Sequence, residues 1–183
     1  MPIPRLTQPG VAVLVVDMQA KLLPKMKQSE RIAARTGILL DGCRALGVPI
    51  LATEQYKKGL GDTVPGIAER LTDALCVEEK LKFSACIEPV RQALTEAQAR
   101  SVLVCGIETH VCVLQTCLDL AEAGYVTFIA ADACSSRAKV DHEWALRRLI
   151  QAGIVPTTVE SALLELVHEA GTDAFRKILE LIR

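Results

Sequence analysis

Residues 10–19 read GVAVLVVDMQ, and this stretch decides the fold. Residues 11–16 form a continuous apolar run that is bounded by Gly10 and Asp17. An apolar run without alternation is typical of a strand that is buried on both faces, as the strands of parallel sheets are. The stretch therefore predicts the first strand of a parallel sheet, with Asp17 at its carboxyl end.

Apolar runs alternate with helical patterns along the rest of the chain. We expect strands at 11–16, 48–53, 74–77, 101–105, 125–131 and 154–159. We expect helices at 29–46, 88–99, 110–123 and 141–152, with two more beginning near residues 161 and 172. This alternation predicts an α/β protein with three α/β/α layers and a six-stranded, mostly parallel, Rossmann-like sheet. The 183 residues are expected to form one domain, with its core at about 10–165 and C-terminal helices within 161–183.

Composition excludes several classes of protein. Aromatic residues make up only 3% of the chain, so the core must be aliphatic. The net charge of −1 and the mixing of acids with bases do not favour nucleic acid as a partner. No apolar stretch is long enough to span a membrane, and the first ten residues lack the apolar segment of a signal peptide. Seven cysteines, mostly within aliphatic runs, are typical of a reduced cytoplasmic protein.

Cys112 differs from the other cysteines in its predicted position. It lies in the first turn of the helix after the fourth strand, where free N–H groups and the helix dipole would lower the pKa of a thiol. Asp17 ends the first strand and could accept the thiol proton, and Lys80 ends the third strand and could stabilise an anion. A nucleophile, a base and an orienting charge are the general requirements of covalent catalysis.

Four segments of the chain resemble the isochorismatase-like cysteine hydrolases. They are VLVVDMQ (13–19), EEKLKFSAC (78–86), VLVCGIETHVCVLQTCLDLAEAGY (102–125), and ADACSSR with DHEWALRRLIQAGIVPTTVESAL (131–163). The resemblance covers about residues 10–165. It implies a small-molecule hydrolase in which Asp17 acts as the base, Cys112 as the nucleophile and a lysine as the third member. The lysine maps onto Lys80, with Lys82 as the alternative, because alternation along an extended segment places both on the same side.

The resemblance also implies a cis peptide bond between Ile107 and Glu108. The backbone N–H groups of Glu108 and Cys112 would then form an oxyanion hole. The implied reaction is cleavage of an amide-like or imide-like C–N bond through a thioester intermediate. Members of the family usually form dimers or larger rings, so a homo-oligomer is expected.

The loop at 53–66 separates this chain from the nicotinamidases of the family. Those enzymes hold a metal with an Asp and two or three His after the second strand, whereas no His precedes His110 here. We therefore expect neither a metal nor another cofactor. Substrate-pocket candidates are Gln19, Glu54, Tyr56 and His110.

Two other interpretations remain open. The chain could be a catalytically silent, oligomeric binding protein of the same fold. It could also sense redox state through Cys112, with Cys134 as the resolving thiol. The reactivity of Cys112 distinguishes these interpretations from the hydrolase.

Overall fold

Six strands form the centre of the molecule in a computed structural model that describes residues 3–183. They span Val11–Val16 (β1), Ile50–Gln55 (β2), Cys76–Lys80 (β3), Ser101–Ile107 (β4), Val126–Ser135 (β5) and Val155–Thr157 (β6). The strand order is β3-β2-β1-β4-β5-β6, and all five pairings are parallel. The predicted α/β fold is confirmed, with a fully parallel sheet.

Eight α-helices connect and follow the strands in the described part of the chain. They span Ser29–Leu46 (α1), Lys57–Leu60 (α2), Pro65–Ala68 (α3), Glu88–Glu96 (α4), Leu114–Glu122 (α5), Lys139–Gln151 (α6), Val159–Val167 (α7) and Asp173–Ile182 (α8). The helices α1, α7 and α8 pack against one another, and α5 packs against α6. Crossovers in opposite directions from the centre of the sheet place these two groups on opposite faces, so both faces are covered.

Several boundaries differ from the prediction and change the surroundings of the site. The strands β2 and β3 begin two residues later than expected and end at Gln55 and Lys80, so the polar ends of both strands belong to the sheet. The strand β5 continues to Ser135 because its register shifts opposite β4 between Val104 and Gly106. The expected loop at 53–66 contains the last residues of β2 and the two short helices α2 and α3.

Gly106 allows the end of β4 to lie unusually close to its neighbour β1. Its φ is +117°, and a Cβ atom at this position would lie 2.1 Å from the carbonyl oxygen of Val16. Only glycine combines this backbone conformation with so close an approach. The residue brings the segment that follows β4 against the end of β1, where Asp17 lies.

The core is aliphatic, as the composition predicts. The large fully buried side chains are mainly Leu, Ile and Met, joined by Phe128. All six positions of β1 are buried, which is what a central strand covered on both faces requires. Within residues 3–183, no helix combines the length and the apolar composition needed to cross a bilayer.

Candidate active site

Asp17 and Lys80 form a buried ion pair at the carboxyl edge of the sheet. The Lys80 Nζ lies 2.7 Å from Oδ2 of Asp17, and neither side chain is exposed to solvent. The other carboxylate oxygen, Oδ1, accepts a 2.8 Å hydrogen bond from the hydroxyl of Thr53. The neighbouring strands β1, β2 and β3 each contribute one of these residues, so the parallel sheet itself assembles the pair.

Four oxygen atoms surround the ammonium group of Lys80. Besides Asp17, they are Oε1 of Gln55 at 2.7 Å and the carbonyl oxygens of Phe83 at 2.8 Å and Lys82 at 3.3 Å. The chain therefore folds back over Lys80 directly after β3. The side chain of Lys82 is exposed, and only its carbonyl oxygen reaches the site.

Cys112 lies on a π-helical turn, Thr109–Val113, that joins β4 to α5. Its Sγ is within hydrogen-bonding reach of the Asp17 carboxylate and of the backbone N–H of Glu108. The hydroxyl of Thr116 donates to the Cys112 carbonyl at 2.6 Å and accepts from the backbone N–H of Ala85 at 2.8 Å. This double contact ties the segment after Lys80 to the turn that carries the thiol.

The peptide bond between Ile107 and Glu108 is cis. The carbonyl oxygen of Glu108 accepts hydrogen bonds of 3.1 Å from the backbone N–H groups of Val111 and Val113, so the π-helical turn starts directly after this bond. The carboxylate of Glu108 pairs with Nε of Arg137 at 2.8 Å. The backbone N–H of Glu108 is directed towards the Cys112 thiol, while its carboxylate is held by Arg137.

The electrostatics of the site differ from the sequence prediction. Burial first, and then the negative charge of Asp17, raise the pKa of the Cys112 thiol to about 12, against the opposing effects of Lys80 and the Glu108 N–H. Burial also raises the pKa of Asp17, against the opposing effect of Lys80 and its hydrogen bonds. The predicted lowering of the Cys112 pKa is therefore wrong, because the loss of solvent outweighs the helix terminus.

A high pKa does not distinguish Cys112 from the other buried thiols. Burial alone raises the pKa of Cys43 to about 12, and Cys105 is raised in the same way. Cys112 is distinguished by having a carboxylate within hydrogen-bonding reach, which is a group that can remove its proton. The arrangement places a thiol with a raised pKa beside a carboxylate, a group that is able to accept a proton.

The family model of the isochorismatase domain matches residues 11–161. The chain belongs to the isochorismatase family. It is 39% identical over 183 residues to a protein named secreted isochorismatase effector Isc1 from Phytophthora sojae, covering 98% of this chain and 87% of the relative.

Solved isochorismatase-like structures superpose closely on this chain. The structure named MAR1 ribonuclease from Caenorhabditis elegans has a TM-score of 0.93 and 38% identity, and the match covers 98% of this chain and 92% of that one. The YcaC gene product from Escherichia coli, described as an octameric hydrolase of unknown specificity, has a TM-score of 0.92 and 25% identity, covering 100% of this chain and 91% of that one.

Two of the four predicted pocket residues of this isochorismatase-family chain are engaged in holding the loop after β2. The fully buried amide of Gln19 bonds to the backbone of Gln55 in both directions, at 3.0 and 2.7 Å, and donates to the carbonyl of Gly61 at 2.6 Å. The carboxylate of Glu54 accepts from the backbone and the hydroxyl of Thr63 at 2.7 and 2.8 Å. These contacts leave neither side chain free for a ligand.

The other two predicted pocket residues are more open. Tyr56 is 48% exposed, and its ring packs against the turn at Gly59, where a Cβ atom would lie 2.2 Å from the ring. His110 is part of the π-helical turn, and its Nδ1 lies 2.9 Å from the hydroxyl of Ser136. The structure therefore places His110 towards the end of β5 and leaves Tyr56 at the surface.

Thr53 and Gln55 belong to the site, although the sequence analysis assigned them no role. Side chains alternate along a strand, so Thr53 and Gln55 share the face of β2 that meets Asp17 and Lys80. Glu54 lies on the opposite face and pairs instead with Lys57 at 2.8 Å. The alternation of side chains along β2 was the signal in the sequence that could have identified both residues.

Within residues 3–183, no group of three or more His, Cys, Asp or Glu side chains is arranged to hold a metal ion. Two acidic side chains of the segment 53–66 are engaged by lysine. Lys57 pairs with Glu54 at 2.8 Å and with Asp62 at 2.9 Å.

Proposed function

We propose that this chain is a cysteine hydrolase of small molecules that uses Asp17, Lys80 and Cys112. The observation that carries the proposal is the buried 2.7 Å ion pair between Lys80 and Asp17, with the Cys112 thiol within hydrogen-bonding reach of the same carboxylate. Taking two charges out of water is costly unless they are paired and hydrogen-bonded. A thiol placed against such a pair has the base that it needs to become a nucleophile.

The proposed reaction begins with transfer of the Cys112 proton to Asp17. The thiolate attacks the carbonyl carbon of an amide or imide, and a C–S bond forms as the carbonyl π bond opens. The C–N bond then breaks, and the nitrogen leaves with the proton held by Asp17. Asp17 next removes a proton from water, which attacks the thioester, releases the carboxylic acid and restores the thiol.

Lys80 acts as a positioning residue in this scheme. Its ammonium holds one oxygen of Asp17, and Thr53 holds the other, so the carboxylate has a fixed orientation towards the thiol. The positive charge also opposes the rise in the pKa of Cys112 that burial and Asp17 produce. The charge of Lys80 thus offsets part of the free-energy cost of forming a thiolate beside Asp17.

The oxyanion hole is formed by the backbone N–H groups of Glu108 and Cys112. The cis bond after Ile107 precedes the first of these donors, and the π-helical turn carries the second. Two backbone N–H donors directed at one point would stabilise the negative charge that develops on the carbonyl oxygen.

The test is hydrolysis of a panel of small primary amides and cyclic imides by the full chain. We expect ammonia or amine release that is lost in Cys112→Ala and falls by several orders of magnitude in Asp17→Asn, since these residues act as a unit. Cys86→Ala is the matched control. It removes a half-buried thiol that makes no contact with Asp17, so activity should stay unchanged. Turnover by Cys112→Ala equal to that of the unmodified chain would overturn the proposal.

A labelled oligoribonucleotide belongs in the same panel, because a similar structure bears the name ribonuclease. The net charge of −1 and a buried lysine already bound by Asp17 do not favour a polyanionic substrate. We expect no RNA cleavage. Cleavage lost in Cys112→Ala would move the proposal to another substrate class, and an unreactive Cys112 would favour the silent or redox-sensing protein.

We also propose that the chain forms a homo-oligomer, a dimer or larger, through the edge strand β3. Leu75, Val77, Leu81 and Phe83 are exposed along and just beyond this strand. Apolar side chains on an unpaired edge favour association. Light scattering should give at least twice the monomer mass, and Leu81→Glu should reduce it, whereas Ile3→Glu, at another exposed apolar position, should not.

A cytoplasmic location is proposed from the seven free cysteines, of which five are buried. Disulfides form and persist in oxidising compartments, whereas buried reduced thiols are typical of the cytosol. Fractionation of cells that produce the tagged full-length protein tests this location. Recovery of the protein mainly from the medium, as the name of the Phytophthora relative implies for that protein, would contradict it.

A further inference from the structure

A cavity of about 570 Å³ opens at the carboxyl end of β5, apart from the proposed active site. Asp17, Lys80 and Cys112 do not line it. Its walls come from the start of α1, the end of β5, the start of α6 and the residue before α7. This volume falls within the range of small-molecule sites.

The cavity carries two positive charges without a carboxylate partner. Lys27 and Arg31 both line it, and neither has an acidic side chain within ion-pairing distance in the part of the chain that the structure describes. The guanidinium of Arg31 bonds only to the amide oxygen of Gln28, at 3.0 Å. An anion in the cavity would therefore meet two cations that no internal ion pair neutralises.

Both acidic residues of the cavity are already compensated. Asp132 binds Nε of Arg35 at 3.3 Å, and its other oxygen accepts a 2.8 Å hydrogen bond from the backbone N–H of Val159. Glu143 lies 3.5 Å from Nζ of Lys139. These pairs cancel the negative charges, so the lining is net positive through Lys27 and Arg31.

Three helices begin at this cavity, and their orientation adds to its positive potential. The residues that line it include Gln28 before α1, Lys139 at the start of α6 and Thr158 before α7. The amino end of a helix carries a partial positive charge. The start of α7 is already occupied by the carboxylate of Asp132, so the starts of α1 and α6 supply the positive potential that is open to a ligand.

Apolar side chains form the rest of the wall. Ile32, Ala131 and Cys134 supply hydrocarbon and sulfur surface beside the cations. Such a combination fits a ligand with one anionic group and a short apolar body. We propose that this cavity is a second ligand site of the protein and binds a small organic anion, a carboxylate or a phosphate ester with an apolar body.

The second site lies beside the turn that carries Cys112. Ser136, in its wall, bonds to Nδ1 of His110 at 2.9 Å, and His142 bonds through Nδ1 to the hydroxyl of Thr109, also at 2.9 Å. Thr109 and His110 belong to the π-helical turn. A bound anion would thus lie against Ser136 and His142, the two side chains that bond to the turn carrying Cys112.

The test is calorimetric titration of the full chain with benzoate and with phenyl phosphate, and with benzyl alcohol as the neutral counterpart. We expect saturable binding of both anions and none of the alcohol. Lys27→Gln and Arg31→Gln should each weaken binding roughly tenfold, since each removes a charge-assisted hydrogen bond. Lys25→Gln, at an exposed lysine outside the cavity, should leave the affinity unchanged.

The design separates this site from the proposed active site. Cys112→Ala should bind both anions as the unmodified chain does, whether or not the chain hydrolyses amides. The proposal is overturned if neither anion binds saturably below about 10 mM, a concentration beyond specific recognition. It is equally overturned if Lys27→Gln and Arg31→Gln bind as Lys25→Gln does, because the anion then occupies another place.

Discussion

The hydroxyl of Thr53 donates a hydrogen bond of 2.8 Å to Oδ1 of Asp17, so the two oxygens of this carboxylate have different partners. A hydrogen bond to a buried charge contributes about 1.5–3 kcal/mol. Thr53→Val keeps the shape and removes the donor, so it should lower the free energy of unfolding by that amount. Thr127→Val is the control, because the buried Thr127 donates only to a neutral carbonyl, at 3.2 Å. Urea titrations measure both variants. Equal losses of unfolding free energy in Thr53→Val and Thr127→Val would show that the bond to the Asp17 carboxylate contributes no more than a bond to a neutral carbonyl.

Removal of the Lys80 charge should destabilise the fold more than any change at Lys82. Lys80→Met leaves the carboxylate of Asp17 buried without its counter-charge, which costs about 3–5 kcal/mol. Lys82→Met changes an exposed side chain and should stay within about 0.5 kcal/mol. The double variant Asp17→Asn with Lys80→Met should recover part of the loss. Chemical denaturation measures all three, and a Lys80→Met as stable as Lys82→Met would refute the ion pair.

The two partners of the ion pair should shift the pKa of Cys112 in opposite directions. Asp17→Asn removes a negative charge that raises this pKa and leaves the ammonium of Lys80, so the pKa should fall. Lys80→Met removes a charge that lowers it, so the pKa should rise. Thiolate absorbance against pH, with Cys112→Ala subtracted as the background, measures both shifts.

The same substitution separates thiol reactivity from catalysis. Asp17→Asn should alkylate faster at Cys112 with iodoacetamide at neutral pH, because more thiolate is present. It should nevertheless hydrolyse amides more slowly, because the leaving nitrogen loses its proton donor. Equal changes in the two rates would mean that Asp17 does not act as the base.

Stability should fall in alkaline solution partly through Cys112. Its pKa is about 12 in the folded protein against 9.0 for an unperturbed thiol. Between these values the unfolded chain loses the proton while the folded chain keeps it, so the free energy of unfolding decreases as pH rises. The difference in stability between the unmodified chain and Cys112→Ala should therefore change by on the order of 1 kcal/mol from pH 8 to pH 10.

Cys43 supplies the control for this pH dependence. Burial raises its pKa to about 12 as well, so Cys43→Ala should show a similar alkaline change. In an Asp17→Asn background, the alkaline loss of stability contributed by Cys112 should become smaller. The loss contributed by Cys43 should stay the same. Thermal unfolding at several pH values measures these differences, and a flat difference for Cys112→Ala would mean that its pKa is not raised.

Gly106→Ala should disrupt the site through the backbone. The added Cβ would lie 2.1 Å from the Val16 carbonyl oxygen, so β4 and β1 would have to separate. Gly124→Ala is the matched control, since φ is +92° there and no atom lies within 4 Å of the added Cβ. The control should cost on the order of 1 kcal/mol for its backbone conformation alone, and Gly106→Ala should cost several times as much. Similar unfolding midpoints would contradict the close approach.

The choice between Lys80 and Lys82 shows what periodicity leaves open. Both lysines lie on the same side of an ideal extended segment, so the pattern in the sequence treats them alike. The strand ends at Lys80, however, and the chain turns back so that the carbonyls of Lys82 and Phe83 face its ammonium. That turn depends on contacts with β2, which the segment itself does not encode.

Glu54 and Gln55 are a second case in which the sequence pattern did not identify the residue that enters the site. The sequence analysis named Glu54 as a substrate-pocket candidate and assigned no role to Gln55. The strand β2 ends two residues later than expected, and Gln55 lies on the face that meets Lys80 while Glu54 holds Thr63. Because β2 extends to Gln55, the alternation of side chains continues past Thr53 and places Gln55, not Glu54, on the face of the site.

The sequence by itself determined the six strands, their parallel arrangement and the edge of the sheet at which Asp17, Lys80 and Cys112 stand. These properties depend on the spacing of apolar residues, which is a local quantity. The tertiary structure alone decided that burial raises the pKa of the Cys112 thiol and that Asp17 and Lys80, 63 residues apart, lie 2.7 Å from each other. Burial and charge act through space, so a pKa depends on groups from distant segments that only the folded chain brings together.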